Sequence, residues 1–288
     1  MASRPPLVPR RQPSSRLILT LVLSLIVGLS SVALAAAVTK TITARSGSTS
    51  ATLSYRFNGN GAAFPTSMLR LAITRGGQQR YDRPVHALLC ASECSLFAGG
   101  SVLAVKNLEP GGSPDVVLNL YSGGAHCCFI TQVYRYDAGA STYTLVQRDF
   151  GDPGARIETL AGGPVFFSAD DRFAYTFAAF AFSGLPVQIW SFASGRFVDV
   201  TRRFPALIRK DAAAQYGAFL RNRKQGLGLG FVAAWGADED LLGQSALVRR
   251  RLAALSAAHQ LRGLAGWGQG STFIAQLQRF LVKTGYTH

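Results

Sequence analysis

The sequence predicts an α+β protein: mainly antiparallel β structure, in sandwich-like or partial propeller-like repeats, followed by a small C-terminal helical part. Three observations carry this. Residues 38–104 alternate apolar and polar side chains between turn residues, the signature of strands with one wet face. Residues 105–205 contain two similar strand-rich units. After Pro205 the β-branched runs stop and helical spacing takes over.

The elements follow in order. Residues 1–37 read as a signal peptide: Arg4, Arg10, Arg11 and Arg16 precede an uncharged apolar run, which ends in small residues with the small-x-small pattern of a cleavage site. The alternative is an N-terminal membrane anchor, because about 20 apolar residues can span a bilayer. Either reading exports the remainder. In the N-terminal β region, residues 38–104, "LRLAITRGGQQRYDRPV" reads as two strands around a Gly76-Gly77 hairpin turn.

The region 105–205 opens each unit on a β-branched residue, Val105 or Ile157, with leucine three positions on. A glycine-rich turn, a proline and an apolar run follow. An aromatic strand comes next (Val133-Tyr134, Ile189-Trp190), then a glycine turn with Tyr143 or Phe197. Such repetition suits blades or a small sandwich, and two copies do not close a propeller. In residues 206–288, "ALIRKDAAAQYGAFLRNRK", "SALVRRRLAALSAAHQ" and "STFIAQLQRFLVKTG" read as helices. The last is capped by Ser271 or Thr272 and stopped at Gly285. "GLGLGF" between the first two reads as a linker.

"NLEPGGSPDVVLNLYSGGAHCCF", "SADDRFAY", "QIW" and "DVTRRFP" resemble segments of exported bacterial proteins of unassigned function, similar in turn to degenerate FG-GAP or VCBS-type repeat proteins. The resemblance covers about residues 105–288 and implies kinship, not an activity. It implies a calcium loop at Asn107, Glu109 and Asp115. Calcium takes roughly six to eight oxygen ligands, usually with several carboxylates. This degenerate loop offers too few, so no cofactor is expected and an ordinary glycine–proline turn is the reading for that segment.

Four cysteines in an exported chain favour disulfides. The leading expectation is local pairing, Cys90 with Cys94 and Cys127 with Cys128; the two alternatives tie both early cysteines to Cys127 and Cys128. A metal-binding rival would use His86, Cys90 and Cys94, which fall on one face if that segment is helical, with His126, Cys127 and Cys128 as further ligands.

The chain carries 30 basic and 15 acidic residues, and the excess is uneven. Residues 201–288 carry 13 basic and 4 acidic residues, including Arg249, Arg250 and Arg251 on one predicted helix. Anionic envelope polymers or a lipid surface are the expected partners. Export and the absence of a recognition fingerprint argue against nucleic acid. No Gly-x-Ser-x-Gly elbow, Walker loop or His-Glu-x-x-His occurs. The sequence therefore points to an exported, non-enzymatic, envelope-associated binding or structural protein. The rival is an envelope hydrolase using Asp170, Asp171 or Asp152, because glycoside hydrolysis needs two carboxyl groups at a set separation. His126, Asp170, Asp171 and the three arginines form the candidate functional surface.

Overall fold

The computed structural model describes residues 38–59, 66–87, 90, 94–96 and 101–287, without the side chain of Cys127. The expected signal peptide or anchor, residues 1–37, lies outside the described residues. Among the described residues no helix is long and apolar enough to cross a membrane.

Strands β1 (Val38–Ser46), β2 (Thr49–Phe57), β3 (Thr66–Arg75) and β4 (Gln78–Pro84) pair antiparallel in chain order. Gly76 and Gly77 form the tight β3–β4 turn with φ of 57° and 77°, a left-handed pair that side-chain-bearing residues resist. One face of β2 and β3 is apolar, and Ala51, Leu53, Leu71 and Ile73 have no exposed surface.

The second sheet contains β5 (Ser95–Leu96), β6 (Leu103–Lys106), β7 (Asp115–Gly124), β8 (Cys127–Asp137) and β9 (Thr142–Asp149). β7, β8 and β9 form a meander, and both β5 and β6 pair with β7. The third sheet is a meander of β10 (Arg156–Leu160), β11 (Gly163–Ala169), β12 (Val187–Ala193) and β13 (Arg196–Asp199). Val105, Val133-Tyr134 and Tyr143 lie on β6, β8 and β9, and Ile157, Ile189-Trp190 and Phe197 on β10, β12 and β13.

The layers stack through side chains of opposite parity. Val116, Leu118 and Leu120 of β7 pack with Leu53, Leu71 and Ile73 of the first sheet. Val117 faces the other way and joins Val133, Phe150, Phe166 and Phe192, against the third sheet. Burial on both faces explains why β7 begins as the unbroken apolar run "VVL" instead of alternating. The far side of the third sheet, with Val187 and Ile189, meets Ile208 of α1 (Pro205–Asn222).

The helical layer comprises α1, α2 (Leu229–Leu241), α3 (Ser245–Ala257) and α4 (Gly270–Thr284). The third of these presents Val248, Leu252 and Leu255 to the core, as its spacing predicts. Two expectations fail here. "GLGLGF" is not a linker, because its second half starts α2, a helix buried nearly all round. A Cβ on Gly230 would lie 2.2 Å from the Phe182 carbonyl oxygen, so the glycine lets the preceding loop touch the helix axis. α4 begins at Gly270 with Gln269 before it, and neither Ser271 nor Thr272 caps its start. Its end does follow expectation: Gly285 is left-handed with φ of 83°, and its amide donates to Val282 O.

Polar clasps tie the end of the chain to the third sheet. Asp170, 2% exposed, follows β11 and accepts from Arg172 Nε at 2.8 Å and from the Tyr286 hydroxyl at 2.8 Å. Arg202 Nη1 donates to Leu241 O at 3.0 Å and its Nη2 to Tyr286 O at 3.1 Å, supplying donors to carbonyls at the ends of α2 and α4. The Thr287 hydroxyl donates to Asp240. Tyr286→Phe removes one buried hydrogen bond to a charged group while keeping the ring among Phe173 and its neighbours. It is expected to lower unfolding free energy by about 1.5–3 kcal/mol, read from urea denaturation, with the β signal of circular dichroism unchanged.

Candidate functional site

A cleft of about 600 Å³ opens between the second and third sheets. Val117 of β7, Phe129 of β8, Ile157 of β10 and Phe167 of β11 give it apolar walls. Its internal polar groups are already matched. Thr131 Oγ1 donates to Asn119 Oδ1 at 2.8 Å, Asn119 Nδ2 donates to Ser101 O at 2.8 Å, and Ser168 Oγ donates to Gly154 O at 2.6 Å. The remaining charged groups of the lining are Lys106 and Arg156, both exposed, and no carboxylate lines the cleft. Arg156 lies over the Phe167 ring at 4.2 Å and pairs with Glu158 at 2.5 Å. The cleft is thus an apolar slot with cations at its edge and no carboxylate among its lining residues.

The hairpin of the "YSGGAHCC" string borders this cleft through Phe129. The Tyr121 ring stacks on Phe129 at 5.0 Å, and the Tyr121 hydroxyl donates to Gly124 O. The Cys128 amide donates to Ser122 Oγ at 2.8 Å. The hairpin also supports the next loop, because the Phe129 amide donates to Gly151 O at 2.8 Å. Gly151 has φ of 64°, and a Cβ there would lie 2.3 Å from the Asp171 carboxyl carbon, so the approach of these two segments requires glycine. At the hairpin tip the exposed His126 ring lies 3.9 Å from Phe180 and 6.0 Å from Tyr175. The structure therefore joins "YSGGAHCC" to the end of "SADDRFAY", which the sequence separates by about 50 residues.

Cys90 and Cys94 are joined by a disulfide with a Cα separation of 5.3 Å. Cys128 is also disulfide-bonded, and there is no free cysteine among the described residues. The expected bond from Cys127 rests on a side chain outside the described ones. The metal set of His86, Cys90 and Cys94 is thereby corrected: the two sulfurs are spent on each other, and His86 is not on a helix. The His86 carbonyl instead accepts from Gln132 Nε2 at 2.6 Å, which fixes the cysteine segment to the second sheet.

The loop implied to hold calcium has other employment. Glu109 Oε1 accepts from the Gly195 amide at 3.2 Å and faces Arg135 at 3.6 Å. Asp115 is 3% exposed and its Oδ2 accepts from the Leu108 amide at 3.4 Å, while Asn107 is exposed. Burial, and secondarily Glu109, pushes the Asp115 carboxyl up to about 6 against the Leu108 hydrogen bond.

Of the hydrolase carboxylates, Asp170 is taken up by Arg172 and Tyr286. Asp171 Oδ1 accepts from the Asp152 amide at 3.3 Å, and burial followed by the charges of Asp152, Asp149 and Asp170 raises its pKa despite that bond. The three arginines of α3 are exposed, and Arg251 Nη1 donates to the Tyr216 hydroxyl at 2.9 Å. The cleft residues Lys106, Phe129, Arg156 and Phe167 were missed by sequence reading, since they lie on four strands of two sheets and share no motif.

One further acid was missed. Asp238 of α2 is wholly buried, and neither carboxyl oxygen has a hydrogen-bond donor among the described residues. Burial first, then the Asp211 carboxylate, pushes its pKa well above the usual range. Asp211 Oδ2 meanwhile accepts from the Val187 amide at 3.1 Å, which joins α1 to β12. A proton held between Asp238 and Asp211 supplies the missing donor.

Two curated proteins are similar to parts of this chain. A probable thylakoid lumen protein of Synechocystis sp. is 34% identical over 94 residues, 31% of this chain and 27% of that protein. An uncharacterized protein of Sinorhizobium fredii is 29% identical over 140 residues, 46% of this chain and 21% of that protein. The chain thus spans about a quarter and a fifth of the length of these relatives. No family model matches it, and no solved structure matches it.

The raised Asp238 pKa sets a pH dependence of stability. The folded protein keeps the proton that the unfolded chain releases above the ordinary carboxyl pKa. Stability from this group is therefore complete below that value and is lost as pH rises toward the folded pKa. Asp238→Asn supplies a permanent donor to Asp211. It is expected to raise stability at neutral pH by about 1–3 kcal/mol and to flatten the decline between acid and neutral pH, both read from denaturant midpoints across that range.

Proposed function

We propose that this is an exported, non-enzymatic binding protein of the cell envelope, and that its ligand is an amphiphilic organic anion held in the cleft between the second and third sheets. The observation that carries this is the lining itself: apolar walls, internal polar groups satisfied by one another, and Lys106 and Arg156 at the edge without a lining carboxylate. An apolar body gains by leaving water against Val117, Phe129, Ile157 and Phe167, while its acid group meets the cations. Export is supported by the charged and apolar leader, by the Cys90–Cys94 disulfide and by similarity to part of a protein described as lumenal. The exposed arginines of α3 add attraction toward anionic envelope material without forming a pocket for it.

Calorimetry with octanoate and octylamine tests the charge preference. Saturable binding of octanoate alone is expected, weakened at least tenfold in the Lys106→Glu/Arg156→Glu double variant. Equal binding of the amine, or octanoate affinity unchanged in the double variant, overturns the reading.

A further inference from the structure

The helical layer sorts its charges by depth. All four acidic residues of 201–288 are turned inward: Asp238 and Asp240 are buried, and Asp211 and Glu239 are half-buried. Asp211 accepts from the Val187 amide, Glu239 Oε1 accepts from Trp235 Nε1 at 3.2 Å, and Asp240 accepts from the Thr287 hydroxyl. The cations go the other way. Arg249 and Arg250 of α3 and Arg279 and Lys283 of α4 are exposed, and none of them has an ion pair among the described residues. Like charges repel across such a surface, and no exposed carboxylate among the described residues of this layer offsets them.

The same face carries apolar surface. α3 and α4 meet along a recess of about 210 Å³, walled by Val248 and Leu252 of α3 and by Leu277, Leu281 and Val282 of α4. The exposed Arg249 also lines it, and Asp240 is its one carboxylate, already bonded by Thr287. Val282 is 63% exposed and stands next in sequence to Lys283.

We propose that the α3–α4 face docks the protein on an anionic phospholipid bilayer. Guanidinium groups match lipid phosphates with paired donors, and a negatively charged leaflet attracts basic side chains near its surface. Val282 and the apolar recess then gain by entering the boundary between headgroups and acyl chains, as the apolar side of an interfacial helix does. An acidic polysaccharide would meet the same cations, but its hydroxyl-rich chain offers nothing that rewards an exposed valine beside them. The face stands apart from the cleft between the second and third sheets, and only its lipid setting draws on the proposed envelope location.

The full chain is floated with vesicles of phosphatidylglycerol and phosphatidylcholine, and with phosphatidylcholine alone. Binding that depends on phosphatidylglycerol and falls steeply with salt is expected. The triple variant Arg249→Glu/Arg250→Glu/Arg279→Glu should weaken it at least tenfold, and the matching triple change to Gln by a smaller factor. Arg45→Glu/Arg56→Glu/Arg83→Glu, an equal charge change at exposed positions of the first sheet, should weaken it less than threefold. Val282→Ser should weaken vesicle binding by about threefold while leaving binding to alginate, an acidic polysaccharide, unchanged. Unchanged thermal unfolding is the control for folding, and the Gln variant decides if the Glu variant unfolds. Octanoate binding should be the same in every α3–α4 variant, which separates failure of this face from failure of the cleft. Flotation independent of phosphatidylglycerol, or equal weakening by the α3–α4 and first-sheet triple variants, overturns the proposal. So does tighter binding to alginate than to vesicles with no effect of Val282→Ser.

Discussion

The arrangement of the C-terminal half depends on one buried carboxylate. Asp170 sits between a β layer and a helical layer and is nearly closed to water. Burying a lone carboxylate costs several kcal/mol, so its place is tenable only if cationic and hydroxyl donors arrive together. They come from both sides: Arg172 from its own loop and Tyr286 from the end of the chain. Burial first, and then the neighbouring Asp170 charge, raises the Tyr286 pKa and keeps the phenol protonated as the donor. The same tyrosine ring packs at 5.5 Å against Phe173, so the polar clasp and the helical core are formed by one residue.

The second sheet imposes a different constraint. With both faces covered, its polar residues must find partners inside the stack. Gln132, with no exposed surface, donates to the His86 carbonyl and accepts from the Tyr134 hydroxyl at 2.8 Å. Burial raises the Tyr134 pKa, so this hydroxyl too remains a donor. Arg148 lies 3.3 Å from the Trp190 ring centre and brings a cation to the boundary between the second and third sheets. The Gln132–Tyr134 bond thus satisfies two buried polar groups within β8, while the Gln132–His86 and Arg148–Trp190 contacts join the second sheet to its neighbours.

Much of the architecture was legible because burial leaves periodicity. The alternation in "ATLSYRF" and the turn at Gly76-Gly77 follow from one wet face and a left-handed hairpin. α2 was not legible for the converse reason. A helix surrounded by protein has no polar stripe to reveal its period, and Gly228, Gly230 and Gly236 break up an apolar stretch in a manner that suggests loop. At the candidate site, His126 was visible as an isolated chemical group, but its ring partners Tyr175 and Phe180 come from a loop whose course no local pattern predicts. The cleft was invisible because two sheets create it and neither sheet contains it alone.

The distribution of charge supports binding at layer boundaries over chemistry in the acidic loops. The middle region, residues 81–200, carries 7 basic and 11 acidic residues, and the helical end carries the excess of cations. Several buried or half-buried acids of the middle region already have donors: Asp170 has Arg172, Glu109 has Arg135 and the Gly195 amide, and Asp171 has the Asp152 amide. A carboxylate committed in this way must surrender a bond before it can accept a substrate proton, which raises the cost of using it as a general base. Two cations are less committed than these acids. Lys106 and Arg203 are exposed and have no ion pair among the described residues, and each borders a recess where water can be displaced. An anion meeting Lys106 there leaves the bonds of the acidic loops intact, which is why the proposed capture of an anion is placed in the cleft and not at those carboxylates.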